Sequence, residues 1–537
     1  MFGVSNSLLA FSAAVAALVF GVFKLVRARL FFRHLPQPPG HSLLFGHIGV
    51  FQDVMARFPA NTHPQHFYTY MSHKFALPGI FYIDTWPFME PQMVITDPDA
   101  AMQVLSVSSY PKHPTIENFL RPFTGKDSIA ASNGERWKAN HRMVGSGFTP
   151  TYVKPMLGMI AEQVLVFHAR LRALARDDAA FSMEEESAKM VFDVVGKIVF
   201  GYSLEAQREG SPLLHDLRGS ISPATTVLGS WNPLARRRAR AELEALRRRG
   251  HDTLAASMTE RHQTFLDEKA LPSRRQARSI MDRIVLDRIQ ASPGVPLDER
   301  FFEDAVTNLK ALLLGGHGTT TDTFTFAAML LSVHPEAMAR LRREHDEVFA
   351  PGLDATVALI EEDPKRTNRL EYTNAIIKET LRFFPIGFTI RAAPPGTTSL
   401  SWQGRAYPVE SVMVVPCAHT SHMDASLWGD PKVFRPERFL GEEGAATHRY
   451  AWRAFERGPR ACIAQDLAMD ELRVMLLLTA RWFDFETVVE GTSERVMYMD
   501  LDKLVGDLAF QEIGMEARPR SSMRMRVKLR EPASSQE

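Results

Sequence analysis

The sequence predicts a mainly α protein with small β-sheets, preceded by a single N-terminal transmembrane helix. Three observations carry this: several long apolar patterns of period 3.6, only a few short strand-like runs, and an uncharged apolar stretch at the start of the chain. The 537 residues are 45% hydrophobic and 23% charged, which suits a large buried core. Length alone suggests about three domains. No Gly/Ser-rich or charge-block linker divides residues 45–515, so that span reads as one domain.

Taken in order, residues 3–23 carry no charge, and residues 8–23 are apolar except for Ser12. About 20 such residues span a bilayer as a helix. Lys24, Arg27, Arg29 and Arg33 follow at once, with no basic side chain ahead of the run. That flank keeps the body cytoplasmic and sends the short N-terminus across. A cleaved secretory signal is the competing reading, through the Ala-x-Ala spacing at Ala14 and Ala16, but its basic residues lie on the wrong side of the apolar run. Residues 1–30 are therefore read as an anchor and residues 31–44 as a basic, proline-rich hinge built on Leu35-Pro36-Gln37-Pro38-Pro39-Gly40. Such an anchor adds nothing to the core, so loss of residues 1–34 is expected to leave the body intact. Residues 45–530 form the catalytic domain, and 531–537 read as a disordered polar tail.

Helical periodicity marks residues 187–200, 239–261, 301–332, 335–348, 372–383 and 462–482, while 79–83, 93–96 and 412–415 read as strands. Basic clusters flank an acidic pair across residues 236–249. A solvated helix face laced with ion pairs explains them, and a surface for anionic lipid is the alternative. The net charge of +1 gives no reason to propose nucleic acid. Two cysteines, Cys417 and Cys462, exclude a disulfide scaffold, and no closely spaced Cys/His cluster suggests zinc.

The chemistry starts at Phe455-Glu456-Arg457-Gly458-Pro459-Arg460-Ala461-Cys462-Ile463-Ala464. One cysteine stands at the mouth of a helix, behind a Gly-Pro turn, two residues after Arg460. A helix N-terminus and a nearby cation both lower a thiol pKa from about 8.5, so the pattern predicts a thiolate able to ligate a metal. A buried structural cysteine fits the same residues. In Gly315-Gly316-His317-Gly318-Thr319-Thr320-Thr321-Asp322, each glycine costs about 1 kcal/mol inside a helix relative to alanine. Either two helices meet at a glycine turn, or one helix needs close backbone approach or a bulge there. Glu379 and Arg382 are neighbours on one helix face among apolar residues, and Phe434-Arg435-Pro436-Glu437-Arg438-Phe439 lies downstream.

These segments, in this order, resemble the cytochrome P-450 superfamily in its microsomal, membrane-anchored form. Phe455, Gly458, Arg460 and Cys462 match its haem-binding signature, with Ala464 in place of the usual glycine. Gly315, Gly316, Thr319 and Thr320 match its oxygen-binding helix, but Gly318 stands where the family carries an acid. Glu379, Arg382 and Arg438 match a structural network, which implies that they brace the core. Trp137-Lys138-Ala139-Asn140-His141-Arg142 resembles a Trp-x-x-x-Arg helix with His141 at the arginine position. Trp137, His141, Arg391 and Arg460 are thereby implied as contacts to haem propionates.

The resemblance implies a P-450 fold and haem b with its iron on the Cys462 thiolate. It implies a monooxygenase that inserts one atom of O2 into a lipophilic small molecule, in secondary-metabolite biosynthesis, at the endoplasmic reticulum membrane. Electrons would come from NADPH through a partner reductase, since no G-x-G-x-x-G follows a strand. Thr319 is the implied hydrogen-bond donor to dioxygen. Asp322, one turn from Gly318, is the expected water-mediated proton relay. Phe119, Phe123, Phe384 and Phe388 fall in segments that line the family's pocket. Two other classes remain open: a haem-thiolate enzyme that rearranges or dehydrates its substrate without productive use of O2, and a membrane haem-binding protein without catalysis.

Overall fold

A computed structural model describes residues 6–268, 271–273, 276–293, 297–489 and 499–530. The tail expected at 531–537 lies outside them. All three strand-like runs meet in one sheet. Strand β1 (Ile80–Ile83) pairs antiparallel with β2 (Gln92–Ile95), which pairs parallel with β3 (Met413–Pro416). Each of the three is buried along its length, so continuous apolar runs rather than alternating ones were the right signal. A second sheet joins Phe181–Ser182, Arg524–Leu529 and Phe483–Thr487, and β4 (Glu512–Ile513) with β5 (Ala517–Arg518) forms a short hairpin. The alternation in Arg524–Leu529 and Phe483–Thr487 was readable in the sequence and was passed over, whereas the two-residue strands are too short to read.

The centre of the molecule is one helix, Glu299–Val333, of 35 residues. The Asp298 side chain caps it by accepting from the Phe301 N–H. The helix packs along Met183–Phe200 and against Glu371–Phe383 and Gln465–Thr479. It runs through the glycines without a break, so no turn joins two helices there. Two of the glycines sit at close approaches: a Cβ at Gly316 would sit 3.1 Å from Val195 Cγ2, and one at Gly318 would overlap Glu516 Oε1 as it stands, whereas one at Gly315 would meet nothing. The threonines that follow tie their hydroxyls back into the same helix, Thr319 to the Gly315 carbonyl at 2.7 Å and Thr321 to that of His317 at 2.8 Å.

Helix Pro233–Asp267 carries the basic clusters on its exposed side, where Arg247 pairs with Glu244 and Arg249 with Asp216. The second cluster is thus solvated and ion-paired, while Arg236, Arg237, Arg238 and Arg240 are exposed.

The N-terminal helix, Asn6–Phe31, contains a stretch at Phe11–Phe31 that is long and apolar enough to cross a membrane. Its last turn departs from expectation, because it is part of the body. Arg29 is buried and ion-paired with Asp84, and it donates to the Trp86 carbonyl at 2.6 Å and to that of Leu44 at 3.1 Å. Phe32 packs beside Ile80 and Tyr82, and the Tyr82 N–H bonds the Pro36 carbonyl at 2.8 Å. Removing residues 1–34 would therefore leave Asp84 buried without its guanidinium. Breaking a buried pair costs about 3–5 kcal/mol. A chain lacking residues 1–23 is expected to keep the wild-type urea midpoint, and one lacking residues 1–34 to lose about that much, by equilibrium unfolding.

Candidate active site

The cysteine loop closes on itself before the helix Gln465–Thr479 begins. The Cys462 N–H donates to the Phe455 carbonyl at 2.9 Å. Gly458 takes φ +79°, and a Cβ there would overlap the Leu105 carbonyl and Ser106 Oγ, so this turn admits only glycine. Gly458 thus shapes the loop and does not itself line the site, whereas Phe455 and Cys462 do.

Cys462 is exposed to a cavity of about 280 Å³. Gly315, Gly316 and Thr319 of the central helix form another part of its wall, and Phe148, Val195, Ile198 and Val199 supply an apolar side. The thiol differs from the sequence expectation. Burial pushes its pKa up, against a smaller opposing pull from the Ala464 N–H. Arg460 does not compensate, because its guanidinium lies over the Trp137 ring at 4.6 Å and donates to the Ser132 carbonyl at 3.0 Å. A bound metal ion would deprotonate the thiol outright.

One edge of the cavity gathers Lys112, Trp137, His141 and Arg460. The Trp137 and His141 rings lie 5.2 Å apart. Burial first, then Arg391, pushes Lys112 down to about 7 and Arg460 down to about 10. His141 is also lowered, by burial and by Arg460. Among the described residues neither Lys112 nor Arg460 has a carboxylate ion pair, although Lys112 donates to Thr389 Oγ1 at 2.6 Å. Desolvated cations without counter-charge are costly. This edge needs anions, and haem carries two propionates. A soft sulfur at one wall and a cationic edge form a donor set that fits haem.

Arg391 is displaced from the role the sequence suggested. It does not line the cavity, but pairs with Glu456 Oε2 at 3.2 Å and donates to the Tyr110 carbonyl at 3.1 Å. Lys112, which sequence reasoning passed over, lines the edge instead. None of the four pocket phenylalanines lines the cavity: Phe384 stacks on Phe326 at 4.0 Å, Phe119 packs near Phe123, and Phe388 lies against His63 and Tyr68. Aromatic residues near a motif carry no directional information, and these went to core packing.

Thr319 lines the cavity, with its hydroxyl donating to Gly315. Asp322 does not. It faces a second cavity, lined by Gly318 and Glu516, and its Oδ2 is buried without a hydrogen-bond partner. His317 packs edge-on to Phe192 and does not line the first cavity either. Sequence reasoning missed Glu471, which lines the first cavity, accepts from Thr320 Oγ1 at 3.2 Å, and is pushed up to about 8 by burial. Its only signal was an acid inside an apolar helix pattern.

Beneath the cysteine loop, Arg382 grips Glu379 with two bonds of 2.8 and 2.9 Å, and Arg438 Nε adds a third at 3.1 Å. All three residues are buried. Arg382 also donates to the His422 carbonyl at 2.7 Å, while His422 Nε2 accepts from the Arg453 N–H at 3.0 Å. Trp452 Nε1 donates to the Lys378 carbonyl. The brace thus holds the chain that leads into Cys462.

Fold and cavity together define a haem-thiolate protein. A family model described as Cytochrome P450 matches residues 36–504. The cytochrome P450 monooxygenase acrF of Aspergillus aculeatus is 32% identical over 89% of this chain and 100% of its own length. Cytochrome P450 4F3 of Rattus norvegicus is 28% identical over 83% of each. A solved cytochrome P450DA heme domain superposes with a TM-score of 0.74 at 18% identity, covering 93% of this chain and 98% of that one. The chain belongs to the cytochrome P450 family. It is a haem-dependent monooxygenase of that family, whose members hold the haem iron on a cysteine thiolate.

Proposed function

We propose that this monooxygenase oxidises a lipophilic small molecule of secondary metabolism at the endoplasmic reticulum membrane, with electrons from NADPH through a partner reductase. The observation that carries the substrate class is the apolar side of the cavity, where Phe148, Val195, Ile198, Val199, Ala311 and Leu312 offer no charge. Fungal monooxygenases among the relatives support secondary metabolism. The membrane reading rests on the N-terminal helix and on exposed Leu43, Leu44, Phe45, Phe88 and Trp231, whose last two rings lie 6.4 Å apart.

When bound, haem supplies reductive activation of O2, one atom entering the substrate and the other leaving as water. The chain's residues do the rest. Lys112, Trp137, His141 and Arg460 hold the propionate edge. The apolar wall orients substrate and excludes water. Thr319 Oγ1 releases its bond to Gly315 and presents a proton toward the cavity.

The test is NADPH consumption by the full chain with a reductase across a panel of lipophilic compounds. A substrate-dependent rise in consumption with an oxygenated product is expected. Thr319→Ala should keep haem binding but divert most NADPH to peroxide. Product formed without NADPH would instead place the chain among haem-thiolate enzymes that rearrange their substrates.

A further inference from the structure

The family's oxygen-binding helix carries an acid where this chain has Gly318, yet the space beyond Gly318 already holds a carboxylate. Glu516, in the turn of the β4–β5 hairpin, reaches back to the central helix so closely that any side chain at 318 would overlap its Oε1. Gly318, Asp322 and Glu516 line one cavity of about 290 Å³. The neighbouring cations are already engaged. Arg218 holds Glu184 with bonds of 3.0 and 3.1 Å, and Arg518 holds Glu512 at 2.6 and 2.9 Å. Among the described residues, Glu516 and Asp322 therefore face each other without an ion pair of their own.

We propose that Glu516 is the carboxyl that supplies protons along the glycine-lined face of the central helix, in place of an acid at 318, with Asp322 as its proton-sharing neighbour. The helix at this point has no side chain at 315, 316 or 318, and the next residue, Thr319, lines the haem cavity. Oxygen insertion consumes two protons and two electrons for each O2. The electrons come from NADPH. Glu516 passes each proton to water beside Thr319 and is reprotonated from solvent through its own cavity. Glu516 acts through water and Thr319, so it is a positioning residue for proton delivery.

The electrostatics agree with this role. Burial and then the Glu184 carboxylate push Glu516 up from 4.5 to about 7, with Arg518 and Arg218 pulling the other way. Asp322 is raised too, by burial first and then by Glu516 and Glu184. Two close carboxyls cannot both ionise cheaply, so one proton stays between them. Both values lie above those of the unfolded chain. The stability this pair contributes is fully present below pH 4.5 and is lost as pH rises through about 7.

This inference rests on the monooxygenase reading, and the experiment separates the two. In Glu516→Gln, which keeps the shape, haem binding is expected to persist. Product per NADPH should fall by about 100-fold, the lower end for a positioned proton donor, with peroxide in its place. The infrared difference spectrum of wild type minus Glu516→Gln, recorded on resting protein without turnover, should show the loss of one protonated-carboxyl band while that of Glu471 remains. Gly318→Asp alone should fold with the flexible Glu516 side chain pushed aside. Combined with Glu516→Ala it should fold and regain most of the coupling. Full coupling in Glu516→Gln, or an unchanged infrared band, would overturn the proposal. Wild-type protein that forms no product would contradict the monooxygenase reading instead, while the infrared band still decides where the proton sits.

Discussion

Glu379→Ala is expected to lose about 3–5 kcal/mol of stability and to yield almost no haem-loaded protein, because it leaves buried guanidinium groups uncompensated. The Glu379 carboxylate accepts from Arg382 at two positions, from Arg438, and from the Arg435 N–H at 2.9 Å. Without it, two cations remain at 0% and 1% exposure. Arg382 keeps the His422 carbonyl, and Arg438 keeps those of Trp428 at 2.8 Å and Asp430 at 3.0 Å. Carbonyl dipoles satisfy the N–H groups but cannot cancel two net charges in a dry interior. A domain is stable by only about 5–15 kcal/mol, so such a loss removes a large share of the total. Function follows, since Arg382 also orders His422 and through it the segment entering the cysteine loop. Urea unfolding of the variant checks the prediction. Glu135→Ala, which removes the exposed Lys138 pair, is the control and should leave the midpoint unchanged. Equal midpoints for the two variants would mean that the Glu379 network carries no stability.

Whatever was local in sequence could be read before the structure was known. The strands of the first sheet, the central helix and the Glu379–Arg382 pair all depend on residues a few positions apart. Cys462 was identifiable because a Gly-Pro turn and a helix start stand beside it. Contributions from distant segments were not readable. Lys112 reaches the site from a loop far upstream, and Glu516 from a hairpin about 200 residues beyond the helix it serves. The direction of a side chain was equally hidden. Asp322 shares a face with Gly318, as helical geometry required, but lines the cavity of Glu516 rather than that of Cys462. Arg391 was placed near the right loop and given to Glu456 instead. Arg29 looked like an anchor's flanking charge, and only the fold brings Asp84 beside it.

The account's central claim is that Cys462 holds haem iron as a thiolate. Cys417, the only other cysteine, is 1% exposed at the end of β3, accepts from Thr420 Oγ1 at 3.3 Å, and does not line the cavity. Burial pushes its pKa up as well. Metal coordination can only be read on the metal, so the decisive measurement is the absorption spectrum of the reduced, carbon monoxide-bound protein. The wild type and Cys417→Ser should both show the strongly red-shifted Soret band of a thiolate ligand, and Cys462→Ser should lose it completely. A band that survives in Cys462→Ser and disappears in Cys417→Ser would contradict the assignment.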